Sequence, residues 1–422
     1  MTTPPTILIA GAGQAGYQTA ASLRQEGHAG RIVLIGDEPG LPYQRPPLSK
    51  AYLQGKVQAN ALRFRQAEWY AQNAVERVEG RITAIHRATH SVTLDDGQTL
   101  PYDHLVLALG ARNRVPAVPG IELEGVLSIR TLADADALAA RLTDVKRVVV
   151  VGAGFIGLEF AAVAAARGLQ VDVLEIGQRP MARALSLPMS AAFDAAHRGW
   201  GVRLHYGQAL ASVLSGEGSE NAGHGARVTG VRTTAGATFA ADLVVYGIGV
   251  LPNAELATQA GLAVDNGVCV DALLQTLDPA ISALGDLVNF PSPWAAQPIR
   301  LESVQNAVDQ ARLIAARLAG KPTATYAALP WFWTDQGELK LQIAGLSDGH
   351  DQTLLLGDAA ARQFSVLCFR AGRLMAVESC NRPADHMAAR KLLARRAVIS
   401  PEQAGAPDFD LKAHELTSRP AA

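Results

Sequence analysis

Cysteine is scarce in this 422-residue sequence. Its three cysteines, Cys269, Cys368 and Cys380, stand far apart, and neither a Cys-x-x-Cys nor a Cys-x4-Cys pair occurs. A His-Glu-x-x-His motif is also absent, and the ten histidines show no metal-ligand spacing. The sequence therefore indicates neither a redox dithiol nor a zinc site, and we expect no bound metal.

Excess charge and long apolar runs are missing as well. The formal net charge is −1, so we expect only weak attraction to nucleic acid or to anionic membranes. The most apolar stretch, 148–166, is interrupted by glycines and by Glu159, which argues against a membrane span. The first apolar strand begins at about residue 6, which leaves no room for a secretory leader. We therefore expect a cytoplasmic protein.

Two glycine-rich turns are the strongest positive signal. Each has the form Gly-x-Gly-x-x-Gly, follows an apolar strand pattern and precedes a helical pattern. Their glycines are Gly11, Gly13 and Gly16 in the first turn and Gly152, Gly154 and Gly157 in the second. In such a turn the glycines allow a tight bend, close approach of a pyrophosphate and helix–strand packing. Two turns in one chain predict two dinucleotides, which suggests electron transfer between them.

Carboxylates follow the next strand after each turn, where a dinucleotide's ribose binds. Asp37 and Glu38 follow the apolar segment 31–35, and either is a candidate. Glu175 lies 23 positions after Gly152, close to the usual spacing of about 20. A carboxylate there favours NADH over NADPH, whereas Arg179 and Arg183 lie near enough to soften that preference.

The chain is long enough for two or three domains. We predict a discontinuous FAD-binding domain from 1–110 and 246–325, and an NAD-binding domain from 111–245. Short strands near 340–344, 352–357, 364–369 and 374–378, followed by a basic helix, predict a small C-terminal α+β domain over 326–422. Its tail after about residue 405 is predicted to be disordered, and the Gly/Ser-rich 215–225 to be a mobile hairpin loop.

Several further motifs stand in a characteristic order along the chain. They are Pro-Tyr-Gln-Arg-Pro-Pro-Leu-Ser-Lys at 42–50, Arg130-Thr131, Gly285-Asp286, Glu-Ser-Val-Gln-Asn-Ala at 302–307 and Pro-Trp-Phe-Trp-Thr-Asp-Gln at 330–336. Together with the glycine turns, they resemble the FAD-dependent ferredoxin reductases of bacterial cytochrome P450 and ring-hydroxylating oxygenase systems. The resemblance spans about residues 6–405. It implies an α/β fold with two Rossmann-like, glutathione-reductase-like domains and the small C-terminal domain.

The resemblance assigns the first turn to FAD and the second to NADH. Asp37 rather than Glu38 is then the carboxylate that contacts the FAD ribose. Ile82 is implied to contact FAD, but it equally suits the core of an ordinary strand. The residues implied to bind FAD are Gly11, Gly13, Ala15, Gly16, Asp37, Arg45, Lys50, Ile82, Arg130, Asp286 and Val304. Those implied at the NADH site are Gly152, Gly154, Ile156, Gly157, Glu159, Glu175, Arg183 and Gly249.

Three residues are implied at the redox centre. Lys50 and Glu159 correspond to a lysine–glutamate pair beside the flavin, and Trp333 to a tryptophan near it. Each has a simpler interpretation: Lys50 as a solvated lysine, Glu159 as a carboxylate stabilised by its helix dipole, and Trp333 as a core aromatic.

The implied activity is hydride transfer from NADH to FAD and electron delivery to a [2Fe–2S] ferredoxin that supplies an oxygenase. We expect transient, electrostatic docking to a monomer, with Arg65, Arg312 and Arg317 as candidate contacts or merely solvated arginines. Rubredoxin reductase and an apoptosis-inducing-factor-like NADH-responsive sensor remain alternatives. Disulfide reductases are disfavoured because no cysteine pair is present, and NADH oxidases or peroxidases because the one redox cysteine that they need near Pro42 is absent.

Overall fold

The computed structural model describes residues 4–216 and 225–418. The chain divides into a first unit of Met1–Gln44, Asn60–Arg112 and Leu251–Pro330, and a second unit of Arg45–Ala59, Asn113–Val250 and Trp331–Ala422. The segment 45–59, which the sequence placed in the FAD domain, thus groups with the second unit. The domain boundaries given above stay a prediction. From residue 217 to residue 224, the predicted mobile loop lies outside the described residues.

Both units contain β-strands. In chain order they are β1 (Ile7–Ala10), β2 (Ile32–Gly36), β3 (Val75–Glu79), β4 (Ile82–His86), β5 (Ser91–Leu94), β6 (Thr99–Pro101), β7 (His104–Leu107), β8 (Ala111–Asn113), β9 (Val126–Leu127), β10 (Arg147–Val151), β11 (Gln170–Glu175), β12 (Arg203–Tyr206), β13 (Leu210–Ser215), β14 (Val228–Thr233), β15 (Thr238–Ala240), β16 (Leu243–Tyr246), β17 (Val250–Pro252), β18 (Val268–Cys269), β19 (Ile281–Ala283), β20 (Val288–Asn289), β21 (Trp331–Gln336), β22 (Leu339–Gly345), β23 (Gln352–Asp358), β24 (Gln363–Arg370) and β25 (Arg373–Cys380).

Helices lie between some of these strands and after the last one. They are α1 (Gln14–Gln25), α2 (Ala59–Leu62), α3 (Ala67–Gln72), α4 (Leu132–Arg141), α5 (Phe155–Ala166), α6 (Leu187–Gly199), α7 (Glu255–Gln259), α8 (Val304–Leu318), α9 (Pro383–Ala394), α10 (Pro401–Ala404) and α11 (Leu411–Thr417). A π-helix covers Leu48–Tyr52, and single 3₁₀ turns cover Arg87–Thr89 and Gly285–Leu287.

The first unit is built on a parallel sheet with the strand order β19-β7-β1-β2-β3. Ile9 of β1 lies opposite Leu34 of β2 on one side and Val106 of β7 on the other. All three side chains are buried, because a parallel sheet covered on both faces needs apolar residues throughout. The first glycine turn therefore follows the middle strand of the sheet.

The second unit repeats this plan. Its parallel sheet has the order β12-β11-β10-β16-β9, and the second glycine turn again follows the middle strand, β10. Trp331–Cys380 forms an antiparallel sheet with the order β21-β22-β25-β24-β23, followed by helices α9 to α11. The predicted fold class, two Rossmann-like domains and a small C-terminal α+β domain, is confirmed.

The chain after residue 405 corrects one expectation from the sequence. Instead of a disordered tail, residues 411–417 form helix α11, whose N-cap Asp410 accepts a hydrogen bond from the backbone N–H of Ala413 at 2.6 Å. Leu411 is buried, and Arg395 of α9 donates to the backbone oxygen of Glu415 at 3.0 Å. Capping and burial together order this segment up to residue 418.

Within the two described ranges, no helix has the length and apolarity needed to cross a membrane.

His386 on α9 makes the stability of the folded protein sensitive to acid. It is 1% exposed, and neither ring nitrogen has a hydrogen-bond partner among the described residues. Burial, with a smaller contribution from the Arg390 guanidinium, lowers the pKa of His386 to about 4. The unfolded chain binds the proton near pH 6.5, so falling pH between about 6.5 and 4 favours unfolding.

Replacing His386 by phenylalanine is expected to raise the melting temperature, because the ring packs beside Trp331 without two unpaired nitrogens. The gain should be roughly constant above pH 6.5 and grow below it. Melting curves from pH 5 to pH 8 measure this, with the exposed His86→Phe as a control. A gain independent of pH would contradict the proposed cause.

Candidate functional site

The first glycine turn is shaped by close packing at two positions and by open space at the third. A Cβ on Gly11 would lie 2.4 Å from the backbone oxygen of Ala108, and one on Gly16 would lie 1.8 Å from the oxygen of Gly11. Gly11 also has a φ of +107°. A Cβ on Gly13 would meet nothing within 4 Å, and Gly13 caps α1 without a side-chain hydrogen bond. The turn thus offers room and backbone donors to a phosphate.

The Gly285–Asp286 turn lies beside the first glycine turn. It follows β19, so it emerges at the same sheet edge as the first glycine turn. A Cβ on Gly285 would lie 3.3 Å from the Cβ of Ala15 and 3.9 Å from that of Ala307 in α8. The structure therefore brings together the predicted FAD residues Ala15 and Asp286 and the first turn of α8, which begins at Val304.

The register position that Glu175 holds in the second unit is occupied by a glycine in the first unit. Ile35 lies opposite Ala10 as Leu174 lies opposite Val151, so Gly36 occupies the register position of Glu175. A Cβ on Gly36 would lie 2.6 Å from the Cβ of Ala12, which explains the glycine.

Asp37 and Glu38, the two candidate carboxylates, follow one and two residues after Gly36. Asp37 pairs with Arg81 at 3.1 Å and is half-exposed, whereas Glu38 accepts a hydrogen bond from the Tyr43 hydroxyl. Asp37 stays a prediction.

The other predicted residues of the first unit occupy different environments. Ile82 is buried within the hydrophobic core, so any contact with FAD stays a prediction. Arg65 is exposed with its guanidinium 6.0 Å from the centre of the Trp69 ring, and Arg312 is 65% exposed and pairs with Asp309 at 3.5 Å.

The expectation that Arg317 forms part of a docking surface is corrected by the structure. Its guanidinium donates a hydrogen bond to Ser282 of β19, and burial lowers the pKa of Arg317. The side chain is therefore engaged with the central sheet rather than presented to a partner.

The second glycine turn has the geometry of the first. Gly152 has a φ of +101°, and a Cβ on Gly157 would lie 2.2 Å from the oxygen of Gly152. A Cβ on Gly154 would come no nearer than 3.7 Å, to the oxygen of Gly247, and Gly154 caps α5 without a side-chain hydrogen bond. Ile156, in the first turn of α5, is 44% exposed. A second phosphate therefore fits at the start of α5.

Glu175 ends β11 beside the second turn, as the spacing predicted. Its carboxylate accepts hydrogen bonds from the backbone N–H groups of Ala153 and Gly177, both at 2.7 Å. Arg179 donates instead to the carbonyls of Leu185 and Ala182, at 2.8 and 2.9 Å. Its guanidinium is thus used within its own loop, which weakens the case for Arg179 as a contact to a 2′-phosphate.

Gly249 and Arg183, two residues of the predicted NADH site, lie next to each other. A Cβ on Gly249 would lie 3.5 Å from a guanidinium nitrogen of Arg183, and Gly249 has a φ of +106°. Arg183 itself is exposed. A side chain at position 249 would therefore be strained by the positive φ and would contact this arginine.

The predicted pair Lys50 and Glu159 is in contact. The Lys50 Nζ lies 2.8 Å from Glu159 Oε1, and the two side chains are 17% and 3% exposed. Lys50 sits in the π-helix Leu48–Tyr52, an uncommon element that often marks functional sites. Glu159 lies in the second turn of α5, so the pair stands beside the predicted NADH turn.

Two hydroxyl groups complete the shell of the Glu159 carboxylate. Ser49 donates to Oε2 at 2.5 Å, and Thr334 of β21 donates to Oε1 at 2.6 Å. The sequence contained both residues in motifs but gave neither a role. Only their chain neighbours Lys50 and Trp333 carried a signal, because hydroxyl groups are common in any sequence.

Trp333 lies apart from the Lys50–Glu159 pair. Along β21, Phe332 contacts Phe155 of α5 at 4.6 Å between ring centres, so Phe332 and Thr334 share the face towards α5. Trp333 points to the opposite face, 5.5 Å from Trp331. The structure therefore joins two of the three predicted redox-centre residues, and the role of Trp333 near a flavin stays a prediction.

Arg45 and Arg130 are joined by a hydrogen bond. Arg45 donates to the backbone oxygen of Arg130 at 2.7 Å. The backbone N–H groups of Arg130 and Thr131 donate to the Asp134 carboxylate at 3.0 and 2.8 Å, within the capping box of α4. Two predicted FAD residues are thus fixed relative to each other.

Comparison with known proteins identifies the same architecture. The pyridine nucleotide-disulphide oxidoreductase profile matches residues 5–311, and the Reductase C-terminal profile matches residues 331–414. Rhodocoxin reductase of Rhodococcus erythropolis is 48% identical over 408 residues, which cover 96% of this chain and 93% of that protein.

Two crystal structures superpose closely on this chain. One is the ferredoxin reductase for the CYP199A2 system from Rhodopseudomonas palustris, with a TM-score of 0.93 and 48% identity over 97% of this chain and 99% of that one. The other is the covalent putidaredoxin reductase–putidaredoxin complex, with a TM-score of 0.93 and 37% identity over 99% of each chain. The chain therefore belongs to the pyridine nucleotide-disulphide oxidoreductase family and, within it, to the ferredoxin reductases.

Proposed function

We propose that this chain is an oxidoreductase that passes electrons from NADH through bound FAD to a ferredoxin serving an oxygenase. The observation that carries the proposal is the pair of glycine turns, each opening a helix whose first turn has backbone donors and no side-chain cap. Two such turns suit two dinucleotides, and the close relatives named above are ferredoxin reductases.

The first unit supplies the proposed FAD site. Gly13 leaves space for the pyrophosphate, while Asp286 and the start of α8 lie on the same side of the sheet, where the ribityl chain and the ring would bind. Ser303 accepts a hydrogen bond from the Asn306 N–H at 3.0 Å and so fixes the helix end. The dipole of α8 favours negative charge at this end. The chemistry that FAD supplies is acceptance of a hydride and release of its electrons one at a time.

The second unit supplies the proposed NADH site. Gly154 leaves room for the pyrophosphate, and Glu175 would accept hydrogen bonds from the ribose hydroxyls. Its negative charge would repel a 2′-phosphate, which supports NADH over NADPH as the substrate. Arg183 beside Gly249 is the proposed contact at the nicotinamide end of this site.

Lys50 and Glu159 are proposed to act as a unit at the redox centre. The buried carboxylate fixes the Lys50 ammonium, and the Ser49 and Thr334 hydroxyls in turn fix the carboxylate. A cation held in this way favours developing negative charge nearby and needs no rearrangement during reaction. Neither residue is proposed as a nucleophile.

A [2Fe–2S] ferredoxin is the proposed electron acceptor, bound transiently by a monomer of this chain. Such ferredoxins are usually acidic, so exposed arginines suit the docking surface. Arg65 and Arg312, both exposed in the first unit, remain the proposed contacts. The relative solved in complex with putidaredoxin supports a ferredoxin as the partner.

Anaerobic stopped-flow spectroscopy of the purified protein tests the proposal. NADH should bleach the flavin band near 450 nm, roughly where any flavin absorbs, and an acidic [2Fe–2S] ferredoxin should restore it. Fast cytochrome c reduction should depend on that ferredoxin. A colourless protein would contradict the FAD assignment, and rubredoxin as the better acceptor would favour the rubredoxin reductase alternative. Slow electron export from a long-lived NADH-reduced protein would favour the sensor.

Replacing Glu175 by serine is expected to shift the ratio of kcat/KM for NADPH over NADH upward by about tenfold, or about 1.4 kcal/mol. The change removes the carboxylate that repels a 2′-phosphate. Steady-state kinetics with both nucleotides measure the ratio. Arg183→Ala in the Glu175→Ser background should leave this gain in place, because Arg183 lies beside Gly249, whereas an unchanged ratio in Glu175→Ser would remove Glu175 from the specificity determinants.

A further inference from the structure

A chain of buried polar side chains leads away from the Lys50–Glu159 pair. Gln336, two residues after Thr334 on the same face of β21, donates from Nε2 to Thr334 Oγ1 at 3.4 Å. Its Oε1 lies 2.8 Å from Nε2 of His197 in α6. Thr334, Gln336 and His197 are all fully buried at 0% exposure. These three residues and Glu159 are called the Gln336 network below.

The hydrogen bonds of the Gln336 network all run in one direction. The carboxamide oxygen of Gln336 can only accept, so His197 must donate from Nε2. Burial lowers the pKa of His197 to about 4, so the ring is neutral at pH 7, with Nδ1 as its unprotonated nitrogen. Gln336 then donates to Thr334, and Thr334 donates to Glu159. Aligned donors of this kind reinforce one another and end on a carboxylate.

Gln336 also connects the Gln336 network to the second glycine turn. Its Nε2 lies 3.5 Å from Sδ of Met181, and the backbone N–H of Met181 donates to the oxygen of Ala153 at 2.9 Å. Met181 has a φ of +51°, a left-handed conformation that a methionine holds only when its surroundings fix it. Ala153 lies between Gly152 and Gly154, so one carboxamide links the Glu159 carboxylate to the predicted NADH turn.

We propose that Thr334 and Gln336 are positioning residues for the Lys50–Glu159 pair. They hold the Glu159 carboxylate, and through it the Lys50 ammonium, in a fixed place relative to the second glycine turn. This inference rests on the proposed function, because it assumes that Lys50 acts beside bound FAD. Packing alone does not require these residue types, since valine and methionine would fill the same volumes without buried polar atoms.

The main test compares three variants with the native protein, each loaded with FAD. Thr334→Val removes the hydroxyl that contacts Glu159 and keeps the shape, Thr334→Ser keeps the hydroxyl, and Gln336→Met removes the carboxamide. Thr233→Val is the matched control, because Thr233 is equally buried and its hydroxyl has no partner among the described residues. The measured quantities are the limiting rate of flavin bleaching, the Kd of NADH and the midpoint potential of FAD.

Thr334→Val is expected to lower the limiting rate about tenfold with the Kd of NADH within about twofold of native. The midpoint potential should fall by about 30 mV, which corresponds to a tenfold change in the equilibrium constant of a two-electron couple. Gln336→Met should shift both quantities in the same direction by a smaller factor. Thr334→Ser should restore native values, and Thr233→Val should leave them unchanged. A native rate and potential in both Thr334→Val and Gln336→Met, with only the melting temperature lowered, would overturn the inference.

The midpoint potential is measured by dye-coupled titration without NADH. It therefore tests the Gln336 network even in a protein that NADH fails to reduce, an outcome that would overturn the proposed function alone. Should Thr334→Val fail to fold, the comparison of Gln336→Met with Thr233→Val decides, since Gln336→Met leaves the bond from Thr334 to Glu159 in place.

Discussion

Replacing Gly154 by alanine should weaken NADH binding about tenfold or more, at least about 1.4 kcal/mol, while FAD stays bound. The new methyl group fits the protein itself, because its nearest neighbour would be the Gly247 oxygen at 3.7 Å. The backbone at Gly154, with φ −81° and ψ −177°, suits any residue. The methyl group would instead occupy the space left for the pyrophosphate. Titration of the flavin band with NADH measures the effect.

Gly199→Ala is the matched control for this change. Gly199 lies in α6 of the same unit, and a Cβ there would lie 3.8 Å from Arg362, an ordinary contact. Its replacement should leave NADH binding unchanged and leave stability equal or higher. The mirror change, Gly13→Ala, should spare the fold and release FAD, since nothing lies within 4 Å of a Cβ at position 13. Native NADH affinity in Gly154→Ala would contradict a phosphate site at this turn.

Replacing Glu159 by leucine should be among the most destabilising single changes in the second unit, by about 3–5 kcal/mol. The substitution leaves the Lys50 ammonium, which is 17% exposed, without its counter-ion and removes the acceptor of the Ser49 and Thr334 hydroxyls. Thermal and urea unfolding of the FAD-loaded protein measure the loss. Flavin reduction by NADH should also slow at least tenfold, or about 1.4 kcal/mol, because the cation is no longer held.

A double variant separates the charge effect from simple packing damage. Lys50→Met combined with Glu159→Leu should be more stable than Glu159→Leu alone, because no unpaired charge then remains in the site. Glu76→Gln is the control for an exposed pair: Glu76 and Arg31 are each 44% exposed, so this change should cost less than about 1 kcal/mol. Equal stability of the double variant and Glu159→Leu would show that the charge of Lys50 is not the cause.

The parts of the site that could be predicted from sequence depend on local spacing. The glycine turns and Glu175 follow from a strand, a bend and a helix within about 25 residues. The pairing of Lys50 with Glu159, which are 109 residues apart, was implied only by family resemblance. Even local spacing is an incomplete guide in the first unit. Close contact with Ala12 requires a glycine at position 36, so the acidic residues stand one and two positions later than Glu175 does in the second unit.

Long-range hydrogen bonds left no signal that sequence reasoning could use. Thr334 lies 175 residues from Glu159, and Gln336 lies 139 residues from His197. Their roles depend on which face of β21 meets α5, and an isolated Trp-Phe-Trp-Thr-Asp-Gln segment does not specify this. The prediction for Arg317 fails for a similar reason, because the sequence pattern of a helix does not show that Ser282 of a distant strand lies beside this arginine.

The alternation along β21 also limits which insertions and deletions this protein can accept. Thr334 meets Glu159 only because Trp331 aligns with Ala344 and each following pair keeps that register. Moving the strand by one residue would bring Trp333 or Asp335 to the place of Thr334, so either a bulky ring or a second negative charge would face the carboxylate. Loops before Trp331 can therefore vary in length during evolution only where they leave this register intact. Exchange of the C-terminal module with that of a relative is expected to keep the Glu159 contact only where the exchanged strand brings a hydroxyl to the position of Thr334.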